Sequence, residues 1–111
     1  IEAELFSTPT AVAIADALPI KGKVHLWGDE IYFQTDVRVL LEPAGREVLE
    51  IGELGYWPSG QAFCIFFGPT PASVNDEPHA ASDVNVFGKI TRNLFLLKEI
   101  REGQEIIVKE L

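Results

Sequence analysis

The stretch Gly55-Tyr-Trp-Pro-Ser-Gly-Gln-Ala-Phe-Cys-Ile-Phe-Phe-Gly-Pro-Thr-Pro71 is the most informative part of the chain. Its centre, Ala62–Phe67, is wholly apolar, and a short apolar run between turn residues predicts a strand buried on both faces. The Gly and Pro residues at each end predict tight loops, which can hold aromatic side chains at the rim of a cleft. We therefore expect a central strand with a candidate binding cleft beside it.

Further strands are predicted on both sides of this central one. Their apolar residues alternate with polar ones or form short runs between Gly and Pro residues, at 1–6, 21–27, 30–33, 37–41, 48–51, 54–57, 84–90 and 106–108. Gly28-Asp29 predicts a hairpin turn, and Gly68–Asp83 is predicted to be a long irregular region. Two short helices are expected at Thr10–Leu18 and Arg92–Arg101. Together these elements predict a mainly β fold, an antiparallel barrel or sandwich.

Composition limits the class of protein. With 111 residues, 47% of them apolar and 23% charged, residues 1–111 are expected to form a single globular domain. A formal charge of −8 argues against nucleic acid and anionic membranes as partners. No apolar run approaches the ~20 residues of a membrane span. The single cysteine, Cys64, excludes an intrachain disulfide and is expected to be a buried, inert thiol in a cytoplasmic protein.

Three blocks of sequence together carry a family resemblance. They are Leu26-Trp-Gly-Asp-Glu-Ile-Tyr-Phe33, the segment from Glu50 to Pro71, and Ser82-Asp-Val-Asn-Val-Phe-Gly-Lys-Ile90. In this combination the chain closely resembles the small prokaryotic cyclophilin-like proteins that are grouped as a domain of unknown function. The resemblance implies a cyclophilin-like closed β-barrel of about eight strands with two short helices, one near each open end.

The chain departs from true cyclophilins where their catalysis occurs. They carry a Phe-His-Arg motif, whereas the comparable region here is Glu30-Ile-Tyr-Phe33 and the nearest arginine is Arg38. The aromatic pair Phe66-Phe67 is similar to the paired Phe of the cyclophilin cleft, but Cys64-Ile65 precede it. The resemblance therefore implies a cyclophilin scaffold with little or no prolyl isomerase activity.

The candidate ligand-binding residues are one acidic and five aromatic side chains: Glu30, Tyr32, Tyr56, Trp57, Phe66 and Phe67. Trp57 and the two Tyr residues carry polar groups that suit the wet rim of a cleft, whereas a core position is the simpler interpretation for each Phe. Glu30 and Tyr32 share one face of their strand. No catalytic residue, cofactor or metal site is assigned, since Asp76, Glu77, His79 and Asp83 fit no standard metal-binding spacing.

Four functions remain open from the sequence. The first is a binding domain whose aromatic cleft holds a peptide or small molecule. The second is a weak prolyl isomerase, and the third is an enzyme of different chemistry that uses Glu30, Tyr32 and His25. The fourth is an interaction module that works as a homo-oligomer through an exposed apolar patch. We expect a monomer or weak homo-oligomer with an unknown peptide or small molecule as its partner.

Overall fold

Nine strands, one α-helix and two 3-10 helices make up the regular structure of the computed structural model, which describes residues 1–111. The α-helix α1 is Pro9–Ala17, and the 3-10 helices are Pro58–Gly60 and Leu94–Glu99. The strands are β1 Glu2–Leu5, β2 Ile20–Lys23, β3 His25–Leu26, β4 Glu30–Gln34, β5 Arg46–Val48, β6 Glu53–Trp57, β7 Ala62–Phe66, β8 His79–Arg92 and β9 Glu105–Val108.

Seven of the strands form one antiparallel sheet in the order β1-β8-β6-β7-β4-β3, with β5 paired to β8. Strands β2 and β9 form a separate two-stranded sheet. The edge strands β1 and β3 are not hydrogen-bonded to each other, so neither sheet closes on itself. The mainly β class is thus confirmed, whereas closure into a barrel is not.

The central position predicted for β7 is confirmed. All five of its residues are buried, and it pairs with β4 on one side and β6 on the other. Alternate side chains point to opposite faces of a strand. Phe63 therefore enters the main core, where its ring stacks on Phe33 at 4.8 Å and meets the edge of Phe87 at 5.1 Å. Cys64 points to the opposite face and joins a second, smaller apolar cluster.

These two apolar groups lie on opposite faces of β7. The main core contains 14 buried residues, among them Ala11 and Ile14 of α1. The second cluster consists of six buried residues, Leu49, Ala62, Cys64, Phe66, Ala80 and Val84. Strand β8 contributes to both groups, because Phe87 lies in the main core while Ala80 and Val84 lie in the second cluster.

The first helix begins as predicted. The hydroxyl of Thr8 accepts a hydrogen bond from the Ala11 amide at 3.0 Å, and Pro9 takes the first helical position, where its missing N–H costs nothing. The helix ends at Ala17, one residue before the predicted Leu18. Its capping therefore follows from local sequence alone.

The strand predicted at Val37–Leu41 is wrong. These residues are irregular, and side chains rather than a neighbouring strand bind their backbone. The Tyr56 hydroxyl donates to the Val37 carbonyl at 2.6 Å, and the Asn85 amide donates to the Leu40 carbonyl at 2.9 Å. Alternating apolar residues were therefore insufficient to define a strand where no backbone partner was available.

Four other predicted elements differ in the structure. The single strand predicted at 21–27 is two strands, β2 and β3, which belong to different sheets. The second helix is a 3-10 helix, Leu94–Glu99, because Arg92 still belongs to β8 and Asn93 adopts a left-handed conformation with φ of 64°. The strand expected at Val48–Ile51 is Arg46–Val48, followed by a turn. The irregular region expected at Gly68–Asp83 stops earlier, since β8 begins at His79.

Candidate functional site

A cavity of about 210 Å³ opens over the second-cluster face of the sheet. Seven of its eight lining residues are apolar or aromatic, and the eighth is Glu30. The lining residues are Trp27, Glu30, Tyr32, Trp57, Cys64, Ala80, Ala81 and Val84. This indole cavity, as we call it, brings together three of the predicted site residues, Glu30, Tyr32 and Trp57.

The hairpin between β3 and β4 places two of these side chains. The Trp27 amide donates to the Glu30 carbonyl at 2.9 Å, and the Glu30 amide donates back to the Trp27 carbonyl at 3.2 Å. Gly28 allows this tight turn because its φ is +59°, a conformation that disfavours other residues. Trp27 and Glu30 are therefore direct cross-strand neighbours at the edge of the cavity.

The pairing of β4 with β7 adds the floor of the cavity. Tyr32 lies opposite Cys64, and Glu30 lies opposite Phe66. Because all four residues follow the same alternation, their side chains emerge on the second-cluster face. The remaining wall comes from β8, through Ala80, Ala81 and Val84.

Glu30 is the unusual group of the site. The residue is only 6% exposed, and no amide, hydroxyl or cationic group donates a hydrogen bond to its carboxyl. Burial raises its pKa to about 7, and a hydrogen bond from the Cys64 thiol opposes the rise only in part. Glu30 is thus a buried carboxyl that changes charge near neutral pH.

The Cys64 thiol is buried beside this carboxyl. Burial raises its pKa well above the ordinary value, and the negative charge of Glu30 raises it further. The thiol donates to the Ala62 carbonyl at 3.8 Å, and its hydrogen bond with Glu30 also contributes to the raised pKa. A thiol held in this protonated form is a poor nucleophile.

Trp57 is fixed at the end of β6 by two contacts. Its indole Nε1 donates to the Ser82 hydroxyl at 2.6 Å. The ring also lies against Gly60, where a Cβ would come within 2.3 Å of the indole carbons. The Pro58–Gly60 turn and Ser82 therefore hold the indole at the cavity wall.

The other three predicted site residues do not line the cavity. Tyr56 is 1% exposed in the main core, and its hydroxyl is bound to the Val37 carbonyl. Phe67 also belongs to the main core, on the opposite face of the sheet from the cavity. Phe66 is fully buried in the second cluster, behind the lining residues. Strand alternation separates Phe66 from Phe67, so they cannot act as an aromatic pair in one cleft.

The sequence reasoning missed Trp27 and the wall formed by β8. A signal for Trp27 was present, because a two-residue turn at Gly28-Asp29 makes Trp27 face Glu30. The contribution of Ala80, Ala81 and Val84 had no comparable signal. Their position beside the cavity depends on how the long strand β8 pairs with β5 and β6, and no local sequence pattern predicts that pairing.

Other groups lie apart from the cavity. Arg38 lines a polar groove of about 690 Å³, together with Asp16, Lys21 and Asp36. His25 packs on Tyr32 with the ring centres 5.3 Å apart, but its Nδ1 is bound to Glu102 at 2.8 Å outside the cavity. No three acidic, His or Cys side chains converge as a metal would require. No helix has the length and apolar character needed to cross a bilayer.

Comparison with known proteins identifies relatives of the whole chain. The model of the family described as cyclophilin-like matches residues 1–109. The solution structure of a hypothetical protein from Archaeoglobus fulgidus is similar, with a TM-score of 0.79 and 43% sequence identity over 96% of this chain and 83% of that one. No curated protein matches the sequence.

Proposed function

The chain belongs to the cyclophilin-like family, and we propose that it is a binding domain with little or no prolyl isomerase activity. Its ligand, a small molecule or a single side chain of a peptide, occupies the indole cavity. Glu30, Tyr32 and Trp57 contact that ligand, joined by Trp27.

One observation carries this proposal: the buried Glu30 carboxyl faces an aromatic cavity without a strong hydrogen-bond donor. An unpaired buried carboxylate destabilises a fold, and burial raises its pKa for the same reason. A bound ligand that supplies a partner for the carboxyl removes this penalty. Small-molecule sites commonly combine such an apolar wall with few polar groups that fix orientation.

The hydrogen-bond donors available in the cavity argue against efficient prolyl isomerisation. Prolyl rotation has a barrier of ~18–20 kcal/mol, and lowering it calls for a donor directed at the amide. No arginine lines the cavity. Arg38, the arginine nearest in sequence to Glu30–Phe33, lies in the polar groove instead. The Trp57 N–H is already bound to Ser82. A weak isomerase would therefore depend on Tyr32 or Trp27, which are poorer donors than a guanidinium.

Nuclear magnetic resonance tests the proposal. A labelled sample is titrated with a fragment library and with a short Ala-Pro peptide, and amide shifts are recorded together with cis/trans exchange of the peptide. We expect saturable shifts around Glu30, Tyr32 and Trp57 with at least one compound and no accelerated exchange. Accelerated exchange would establish an isomerase, and a library that leaves every cavity amide unmoved would refute a binding domain.

A second candidate is an enzyme of different chemistry in the same cavity. The observation that favours it is the pKa of about 7 for Glu30, which suits a general acid or base at neutral pH. Tyr32 would assist, whereas His25 lies outside the cavity and is bound to Glu102. Hydrolysis of chromogenic esters and amides, lost in Glu30→Gln but not in Glu50→Gln, would support it. No turnover by the native protein would count against it.

A further inference from the structure

We propose that the indole cavity recognises an organic cation, namely the alkylated ammonium group of a small molecule or of a modified lysine. This inference rests on the proposed binding function and specifies its ligand. Two indoles, a phenol and a carboxylate around one small cavity form an arrangement that attracts such a cation through ring faces and opposite charge.

The charge of the site favours a cation over an anion or an apolar ligand. Glu30 is the only acidic residue in the lining, and no Lys, Arg or His is present there. An anion would be repelled by the ionised carboxyl, and an apolar ligand would leave it buried without a partner. A cation adds a charged partner to the weak hydrogen bond that the carboxylate receives from the Cys64 thiol. The formal charge of −8 further attracts cations to the protein over longer distances.

The rings are held in place before a ligand arrives. Trp57 is fixed by its 2.6 Å bond to Ser82 and by contact with Gly60. Tyr32 is supported by the His25 ring at a centre distance of 5.3 Å, and His25 is itself held by Glu102. Aromatic walls that do not reorganise on binding lose little conformational entropy.

Size limits the cation to a small head group. A volume of about 210 Å³ holds roughly seven atoms of the size of water. A trimethylammonium group with a short stem fits, whereas a large aromatic cation does not. A quaternary ammonium has no N–H group and so needs no hydrogen-bond acceptor, which matches a wall that is apolar apart from the one carboxylate.

The protein carries its own reporter for this test. It contains two tryptophans, Trp27 and Trp57, and both line the cavity. Tryptophan fluorescence therefore arises wholly from the candidate site. Any ligand that enters changes this signal without a label.

The decisive experiment compares choline with its neutral carbon isostere, 3,3-dimethylbutan-1-ol, by fluorescence titration at pH 8. The two molecules have the same shape and differ in charge. We expect saturable binding of choline and at least tenfold weaker binding of the alcohol. Glu30→Gln should weaken choline binding at least tenfold without weakening that of the alcohol. Glu50→Gln, which removes the same charge from an exposed side chain, should alter neither.

The pH dependence provides a second measurement. Choline affinity should fall at least tenfold between pH 8 and pH 5, because protonation of Glu30 removes the attracting charge. Tyr32 and Cys64 are the other titratable groups in the lining. The pH dependence should vanish in Glu30→Gln, which assigns it to this carboxyl.

The outcomes separate this inference from the proposed function. Equal or tighter binding of the neutral alcohol would overturn the inference that the ligand is a cation, while the proposal that the cavity binds a ligand would stand. Absence of a saturable signal with choline, tetramethylammonium and a trimethyllysine peptide would also overturn it. The titration with the fragment library would then remain as the test of the proposed binding function. Binding of the peptide but not of free choline would assign the source of the cation to a modified protein.

Discussion

Two buried glutamates of this domain have opposite surroundings. Glu53, at the start of β6, is 4% exposed, and its carboxylate accepts two hydrogen bonds from Arg46 at 2.9 and 2.8 Å and one from the Glu50 amide at 2.7 Å. Glu30, at the start of β4, is 6% exposed and receives none of these. The fold therefore provides strong donors for a buried carboxylate at Glu53 and provides none at the cavity, where Glu30 lies.

The largest expected effect is on Glu30. Its folded pKa of about 7 lies above the ordinary 4.5, so the folded state holds its proton more tightly than the unfolded state. The associated stability is full below about pH 4.5 and is lost as the pH rises through 7. This loss amounts to about 3 kcal/mol above neutral pH.

Glu30→Gln should therefore raise the free energy of unfolding by about 3 kcal/mol at pH 8 and change it little at pH 4. Urea denaturation at the two pH values measures the difference. An equal effect at both would show that the pKa of the carboxyl is the same in the folded and unfolded states, and the contrast between the two glutamates would fail.

The corresponding substitution of Glu53 should change the free energy of unfolding in the opposite direction. Glu53→Gln replaces a charged acceptor of three hydrogen bonds by a neutral amide and leaves Arg46 without its charged partner. It should lower the free energy of unfolding by about 2 kcal/mol at pH 8. The same denaturation experiment serves, and a stabilised Glu53→Gln would mean that desolvation, not bonding, dominates at this site too.

A smaller effect is expected in the cavity wall. Ser82→Ala removes the acceptor of the Trp57 indole N–H and should cost about 1 kcal/mol. Trp57 should then move more freely, which lowers its fluorescence anisotropy, whereas Ser59→Ala on the nearby turn serves as the control. Unchanged anisotropy would show that Gly60 and the turn alone fix the indole.

The smallest effect is expected for the ion pair between Lys89 and Glu50, which lies at the surface near Glu53. Lys89 pairs with Glu50 at 3.2 Å, and both side chains are exposed. Lys89→Ala should therefore change the free energy of unfolding by less than about 0.5 kcal/mol. A larger loss, seen by thermal unfolding at low salt, would mean that Glu50 couples to the buried pair.

The sequence predicted what local patterning controls. The central strand, the capped first helix and the Gly28-Asp29 hairpin followed from apolar runs and turn residues, and the hairpin placed Glu30 and Tyr32 on one face. Closure of a barrel could not be judged, because it depends on pairing between strands distant in sequence. The predicted strand at Val37–Leu41 failed for the same reason, since Tyr56 and Asn85 bind that backbone instead.

The candidate site was predicted in part. Alternation alone could separate Phe66 from Phe67, but it could not tell which face carries a cavity. The hydroxyl of Tyr56 suggested a position at the solvent-exposed edge of a cleft. It is instead buried in the core, where it donates a hydrogen bond to the Val37 carbonyl. Burial of Glu30 was invisible in the sequence, because it arises from residues of β7 and β8 that pack over it.

The length of β8 has a practical consequence. This strand of 14 residues pairs with β5 near the cavity wall and with β1 and β6 near the main core. Because one continuous strand serves both regions, the cavity wall and the core should melt in a single cooperative event. Occupancy of the cavity would then raise the melting temperature of the whole domain. A thermal-shift screen is consequently a sensitive way to find its natural ligand.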